Sequence, residues 1–185
     1  MKQILVATKN VGKINELKQL MACYKVKVLS LDDMLDDIEI EETGSTFEEN
    51  ALLKAHVAAT KYKMMALADD SGLEIDALNG NPGVYSARYA SQMQSDDEAN
   101  MDKVLYQMKD VADSERGARF VCVLAVVNTN AEEFVVRGEC EGLILRKRCG
   151  AEGFGYDPIF YIKLARKPLP FREVDESPMV LKIQY

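Results

Sequence analysis

The sequence predicts an α/β or α+β domain built around a mixed sheet. Three observations carry that prediction: strand-like and helix-like stretches alternate over the first half, residues 120 to 146 read as a strand meander, and 48% of the 185 residues are apolar. A chain of this size and composition can bury one core, in a single globule with room for two lobes. Residues 3 to 8 (QILVAT) form a buried strand, and after Lys9, Asn10, Val11 and Gly12 a helix is expected over 13 to 21, with Ile14, Leu17, Leu20 and Met21 on one face. Residues 26 to 29 make a second strand, followed by an acidic connection over 32 to 42. Thr46 with Glu49 three residues later matches a capping box, and the alanine-rich continuation to residue 62 has strong helix propensity.

Residues 64 to 68 read as an apolar strand that delivers Asp69 and Asp70 at its tip, with a further strand over 73 to 78 before the turn at Asn79, Gly80, Asn81, Pro82 and Gly83. Residues 96 to 110 resemble an acidic amphipathic helix whose apolar stripe is Met101, Val104, Leu105 and Met108. Residues 120 to 127 and 133 to 137 flank Asn128, Thr129 and Asn130 as a hairpin, and 142 to 146 add a third strand. There are no internal repeats and no low-complexity linker.

Lys and Arg number 23 against 30 Asp and Glu, a net charge of −7, which argues against a large basic footprint for nucleic acid. A small anionic ligand needs a local cluster of lysines and N–H groups, with a metal to carry its charge past the acidic surface. No stretch approaches the ~18 apolar residues of a membrane span, and the N-terminus lacks a cleavable apolar region, so the expected location is the cytoplasm. Cys23, Cys122, Cys140 and Cys149 lie far apart without a C-x-x-C pair, which speaks for reduced thiols rather than zinc ligands or a disulfide framework. His56 is the only histidine and sits among alanines, which makes a Ser-His-Asp triad improbable.

Four clusters could carry chemistry. The adjacent Asp69 and Asp70 repel each other unless a cation or a proton stands between them, although acidic strand tips also serve as plain turn formers. Thr8 to Lys13 (TKNVGK) combines a hydroxyl, an amide, a glycine and two ammonium groups at a helix entry, the parts of an anion cradle or of an ordinary helix start, without the spacing of a Walker A loop. Glu41 and Glu42 precede Thr43 and Gly44, just before the helix that carries Asn50 and Lys54 on one face. One of these glutamates plus Asp70 would suffice for Mg²⁺, which takes one or two carboxylates with waters and phosphate oxygens; the alternative is a solvated acidic run. Gly153 to Pro158 (GFGYDP) offers Phe154 or Tyr156 to stack on a planar base and the Asp157 carboxylate to accept a ring N–H, or else is a turn pinned by its aromatics.

Taken together, ATKNVGK, EETGSTFEENALLKA, ADDSGLEIDALNGNPGVYSARYA and GFGYDPIF resemble, in order and approximate spacing, the Ham1-like, or inosine triphosphate pyrophosphatase, family. The resemblance covers residues 1 to about 161 of a single domain spanning 1 to 185. It implies a Maf/Ham1-like fold, a twisted mixed sheet flanked by helices in two lobes with the active-site cleft between them. It also implies a Mg²⁺-dependent, cytoplasmic, homodimeric enzyme that hydrolyses dITP, ITP and XTP to the monophosphate and pyrophosphate. Carried over by motif position, Thr8, Lys9, Asn10, Val11, Gly12, Lys13 and Lys54 would hold the triphosphate, and Glu41 would bind metal, with Glu42 the less favoured neighbour. Asp70 would be metal ligand and proton acceptor, Ser71 would touch substrate, and Phe154, Gly155, Tyr156 and Asp157 would hold the base.

Residues 162 to 185 depart from the family pattern. A Ser-His-Arg segment that reads the purine 6-keto edge is expected there, yet the single histidine is His56, and Pro168, Pro170 and Pro178 oppose a closing helix. The expectation is intact phosphate chemistry with impaired base discrimination. The alternatives are a nucleotide-binding protein with little or no activity, and a Maf-type nucleotide pyrophosphatase.

Overall fold

A computed structural model describes residues 2–8, 10–34, 38, 40–91, 95–150 and 154–163. Along the chain run β1 (Lys2–Val6), α1 (Val11–Ala22), β2 (Val26–Ser30), α2 (Phe47–Tyr62), β3 (Ala66–Ile75), α3 (Asp97–Gln107), β4 (Gly117–Val127), β5 (Glu133–Ile144) and β6 (Phe160–Ile162). The described strands form one six-stranded mixed sheet in the order β2-β1-β3-β4-β5-β6. β1 is parallel to both β2 and β3, whereas β6 runs antiparallel to β5. This is the mixed α/β architecture that the alternating early elements and the later meander predict.

Packing divides the chain into two compact units, the first holding the described residues up to Gly72 together with Val121–Gly138, the second holding Leu73–Phe120 and the described residues from Glu139 onward. In the first unit Ile4, Val6, Val28 and Leu67 form a buried cluster, with Leu17 and Met21 of α1 and Leu124 and Val126 of β4 against it. α2 buries a face made largely of alanine: Ala51, Ala55 and Ala58 are fully inaccessible. Side chains that small let a helix lie close to its neighbours, and longer ones there would overpack. In the second unit Leu73, Ile75, Met101, Val104, Met108, Ile144, Tyr156 and Ile159 make the core, and Phe120 and Phe160 pack with ring centroids 4.5 Å apart. Such an aromatic pair contributes about 0.5–1.5 kcal/mol beyond the area it buries.

Three differences from the sequence expectations bear on the site. α1 begins at Val11 rather than residue 13, because Asn10 is its N-cap and accepts the Lys13 N–H. β3 runs unbroken for ten residues, so Asp69 and Asp70 lie within the strand and not at its tip. Serine and glycine there do not end the strand, which runs on through them in the sheet with β4 as its neighbour. β5 likewise continues to Ile144, merging the two strands expected over 133 to 137 and 142 to 146, and β6 joins it at Gly142 to Ile144. Gly142 permits that pairing: a Cβ there would collide with the Phe160 ring and the Tyr161 carbonyl. A three-residue strand such as β6 carries no periodic signal in the sequence.

Candidate active site

In the first unit, β1 hands over to α1 through a corner built by its own polar side chains. Thr8 Oγ1 accepts the Asn10 N–H at 3.2 Å, and Asn10 Oδ1 accepts the Lys13 N–H at 3.2 Å. Val11, which is exposed, and Gly12 form the first helical residues, where N–H groups and the helix dipole favour an anion. Lys13 follows and directs its ammonium to Asp69 in an ion pair. Lys9 lies outside the described residues.

β1 pairs with β3 only as far as Leu67, so Asp69 and Asp70 stand past the last paired residue of β1, outside the carboxyl end of a parallel strand. Both are nonetheless buried, at 7% and 8% exposure. Asp70 Oδ1 accepts from Lys54 Nζ at 3.1 Å and its Oδ2 from Asn50 Nδ2 at 3.2 Å. Asn50 and Lys54 are one turn apart on α2, which Thr46 caps by accepting the Glu49 N–H. The Glu49 carboxylate reaches the Ser45 N–H and hydroxyl, and these bonds hold its pKa below the usual value. On its other side Asn50 Oδ1 accepts the Gly44 N–H at 2.7 Å, so its two partners fix the orientation of the amide. A Cβ on Gly44 would lie 2.6 Å from that oxygen, and only glycine lets the loop approach so closely. Lys54 also donates to Glu42 Oε1 at 2.7 Å, whereas Glu41 is exposed; the glutamate that meets Asp70 on a shared ammonium is therefore Glu42.

The electrostatics follow from this inventory. Burial raises the pKa of Asp70, and Glu42 adds to the rise against the pull of Lys54 and Asn50. Burial alone would lower the pKa of Lys54, yet Asp70 and Glu42 overcome it and raise the value. The two shifts differ in origin, burial for Asp70 and neighbouring carboxylates for Lys54, but Glu42 adds to both, because the ammonium groups of Lys13 and Lys54 face the three carboxylates of Glu42, Asp69 and Asp70. Next to Asp70, the Ser71 hydroxyl oxygen is buried and has no hydrogen-bond partner among the described residues. Among those residues no group of three or more His, Cys, Asp or Glu side chains could hold a metal by itself. An ion satisfied by one or two carboxylates, with waters and substrate oxygens completing its shell, fits this all-oxygen set.

In the second unit, residues 154 to 157 form a tight loop. Gly155 adopts φ +59, and its N–H donates to Asp97 Oδ2 at 2.9 Å, while the Phe154 N–H donates to Asp157 Oδ2 at 3.2 Å. Burial raises the Asp157 pKa and the Asp97 charge adds to it, against the Phe154 N–H. The two aromatics divide their roles. Phe154 is 46% exposed, whereas Tyr156 is 5% exposed, sits in the apolar core and donates its hydroxyl to the Ser86 carbonyl at 2.7 Å. Burial pushes the Tyr156 hydroxyl well above its ordinary pKa. Of the two rings, only that of Phe154 is open to the surroundings.

Thr8, Asn10, Val11, Gly12, Lys13, Lys54, Asp70 and Ser71 thus belong to the first unit, with Glu42 joining Asp70, and Phe154 to Asp157 to the second. Sequence reasoning places Asn50 beside Lys54 without giving it a role, and the i, i+4 spacing is the available signal. It misses Asp97, because an acid in the first turn of a helix reads as ordinary capping. It also misses Ser86 and Asn100, buried polar residues within a turn and an apolar stripe.

The model of the Ham1 family matches residues 4–177. The chain is 49% identical over 179 residues to a dITP/XTP pyrophosphatase of Bacillus anthracis, covering 96% of this chain and 88% of that protein. It is 47% identical to the dITP/XTP pyrophosphatase of Bacillus subtilis (strain 168), covering 96% and 89%. Among solved structures, the Staphylococcus aureus Ham1 protein superposes with a TM-score of 0.80 at 45% identity, over 87% of this chain and 81% of that one. The family match continues past residue 161, while the departure expected over residues 162 to 185 falls almost wholly outside the described residues. On the family match, the identities and the shared fold, the chain belongs to the Ham1 family.

Proposed function

We propose that this protein is a Mg²⁺-dependent dITP/XTP pyrophosphatase, an acid-anhydride hydrolase that releases pyrophosphate and leaves the nucleoside monophosphate. The observation that carries the reading is Asp70: a buried carboxylate of raised pKa, held by Asn50 and Lys54 in a cluster with excess negative charge. Relatives that share nearly half of the sequence over most of the chain bear the dITP/XTP pyrophosphatase name. A catalytic base needs a fixed position and gains from a raised pKa; the bonds from Asn50 and Lys54 support the first for Asp70, and its burial supports the second.

Lys13 and Lys54, with the N–H groups at the start of α1 and the Thr8 hydroxyl, neutralise and orient the triphosphate. Lys9 to Gly12 complete that cradle. The Ser71 hydroxyl, which has no partner among the described residues, donates a hydrogen bond to a substrate oxygen. Asp70 accepts the proton of a water whose oxygen bonds to the α-phosphorus as the bond to the bridging oxygen breaks, and the electron pair leaves with pyrophosphate. Asp70 with one of the two glutamates would hold Mg²⁺, Glu41 by the family resemblance or Glu42 by its place on the shared Lys54 ammonium, and the ion would supply charge neutralisation on the phosphate oxygens. Phe154 stacks on the base, and Gly155 and Asp157 frame it.

Free thiols at all four cysteines support a reducing, cytoplasmic setting. No described helix is long and apolar enough to cross a membrane. The exposed Phe134 and Val136 on β5 support a homodimer. The test is pyrophosphate release from dITP, XTP, ITP and GTP with Mg²⁺, repeated in excess EDTA. Release from dITP and XTP that EDTA abolishes is expected. Binding without release would favour the silent nucleotide binder, and preference for modified pyrimidine nucleotides the Maf-type activity. Comparable ITP and GTP rates are expected from the departing tail, and strong ITP preference would overturn that impairment.

A further inference from the structure

Ser86 lies in the 3-10 segment Gly83–Arg88 and takes no part in the chemistry above, yet four hydrogen bonds converge on it. Its hydroxyl accepts the Leu73 N–H at 2.8 Å and donates to the Gly83 carbonyl at 2.6 Å, roles that are unambiguous because an N–H only donates and a carbonyl only accepts. Its own carbonyl accepts the Tyr156 hydroxyl at 2.7 Å and Asn100 Nδ2 at 3.3 Å. Asn100 also donates to the Ala87 carbonyl at 3.0 Å and accepts the Ala90 N–H at 2.6 Å, which clamps the segment that carries Ser86. Ser86, Asn100 and Tyr156 are 7%, 2% and 5% exposed, so water cannot replace these partners and each lost bond leaves a buried polar group unmet.

We propose that Ser86 is a positioning residue for nucleoside binding: it sets the depth to which Tyr156 inserts, and thereby where the loop presents Phe154 and Asp157. The proposal rests on the pyrophosphatase reading, in which that loop receives the base. Tyr156 is the buried side chain of the four loop residues, and its flanking neighbours are partly open to solvent. Its ring packs in the apolar core, and those contacts have no preferred direction. The hydroxyl bond to a carbonyl fixed from two other sides gives the ring a single depth. Ser86 also holds Leu73, three residues beyond Asp70 on β3, so one residue sets both the loop and the strand segment where the second unit begins.

The experiment compares wild type, Ser86→Ala, Tyr156→Phe and the double variant, with dITP as substrate and inorganic tripolyphosphate as competitive inhibitor. Loss of a buried hydrogen bond at the anchor is expected to raise the KM for dITP about tenfold in Ser86→Ala and about fivefold in Tyr156→Phe. kcat should stay within about twofold and the tripolyphosphate inhibition constant unchanged, since the phosphate groups do not depend on the anchor. The double variant should fall short of the product of the single effects, because both changes cut the same support. An unaltered KM in a folded Ser86→Ala protein overturns the proposal, as does a parallel loss of tripolyphosphate affinity. Should Ser86→Ala fail to fold, Tyr156→Phe decides on the same two readings. A wild type inert toward dITP overturns the pyrophosphatase reading itself, whereas an active wild type with unaffected variants removes only the anchor.

Discussion

The charged cluster around Asp70 and the anchored loop around Tyr156 are both buried and both rich in hydrogen bonds, yet they are built from opposite materials. The first sets long lysine side chains against carboxylates, and on the proposed reading these partners exchange for a phosphate or a metal when substrate arrives. The second uses a tyrosine hydroxyl, an amide and a serine hydroxyl against backbone carbonyls and N–H groups, which have no competing ligand. On that reading ionic groups serve chemistry because their partners can change, and neutral bonds to backbone serve recognition because theirs cannot. Asn50 is the exception that shows the rule. It is a neutral, buried amide within the charged cluster, bonded to Asp70 on one side and to the Gly44 N–H on the other.

The largest expected effect tests the charged side. Asp70→Asn keeps the size of the side chain and removes both the proton acceptor and a negative ligand, so dITP turnover should fall by about 10³-fold, in the range that loss of a general base produces. Pyrophosphate release under saturating substrate reads it directly, and near-normal turnover would sink the assignment of Asp70. The exchangeable partners should still accept the triphosphate, so inhibition by tripolyphosphate should survive. A variant that loses both would show that Asp70 organises the cluster rather than acting within it.

Asn50→Ala probes the fixed member of the same cluster. The change leaves the Gly44 N–H without its acceptor and Asp70 Oδ2 without its neutral donor. An unmet buried group costs about 1–3 kcal/mol, and calorimetry should show the melting temperature falling accordingly. kcat should drop about tenfold as Asp70 gains freedom, while KM stays near the wild-type value. A fall in stability with kcat intact would make Asn50 a purely structural residue and weaken the contrast between exchangeable and fixed partners.

Much of this arrangement is legible in the sequence, for reasons that differ by element. α2 announces itself through Thr46, Glu49 and a run of alanines, because capping and propensity are local. Asp70, Lys13 and Lys54 can be named as one site only because their motifs together resemble one family; that the two lysines pair with Asp69 and Asp70 is set by the fold. The resemblance implies Glu41 as the metal ligand, whereas the residue that Lys54 meets is Glu42; that contact cannot be read from the sequence, because it depends on how the loop through Gly44 is pinned to Asn50, a contact across six residues that no periodicity encodes. Tyr156 and Phe154 look equivalent, yet one anchors and the other is exposed, and only the apolar core of the second unit separates them. Ser86 is invisible for the same reason: its partners come from Leu73, Gly83, Asn100 and Tyr156, which are scattered along the chain.

The smallest effect tests the loop and is electrostatic. The pKa of Asp157 is raised in the folded chain, first by burial and then by Asp97, with the Phe154 N–H opposing. For an acid so shifted, the folded state binds its proton at a higher pH than the unfolded chain does. Between the ordinary carboxylate pKa and the raised one the folded state therefore holds more protons, and stability falls as pH rises through that window. Asp157→Asn keeps an oxygen to accept the Phe154 N–H and removes the charge that faces Asp97. The variant should melt slightly above wild type at pH 7, and the advantage should shrink as the pH is lowered through the raised pKa. Melting curves from pH 7 to pH 4 check this. A variant that melts lower at pH 7 would mean that the bond to Phe154 needs the full carboxylate charge, and the loop would then belong with the ionic half of the molecule rather than with the neutral one.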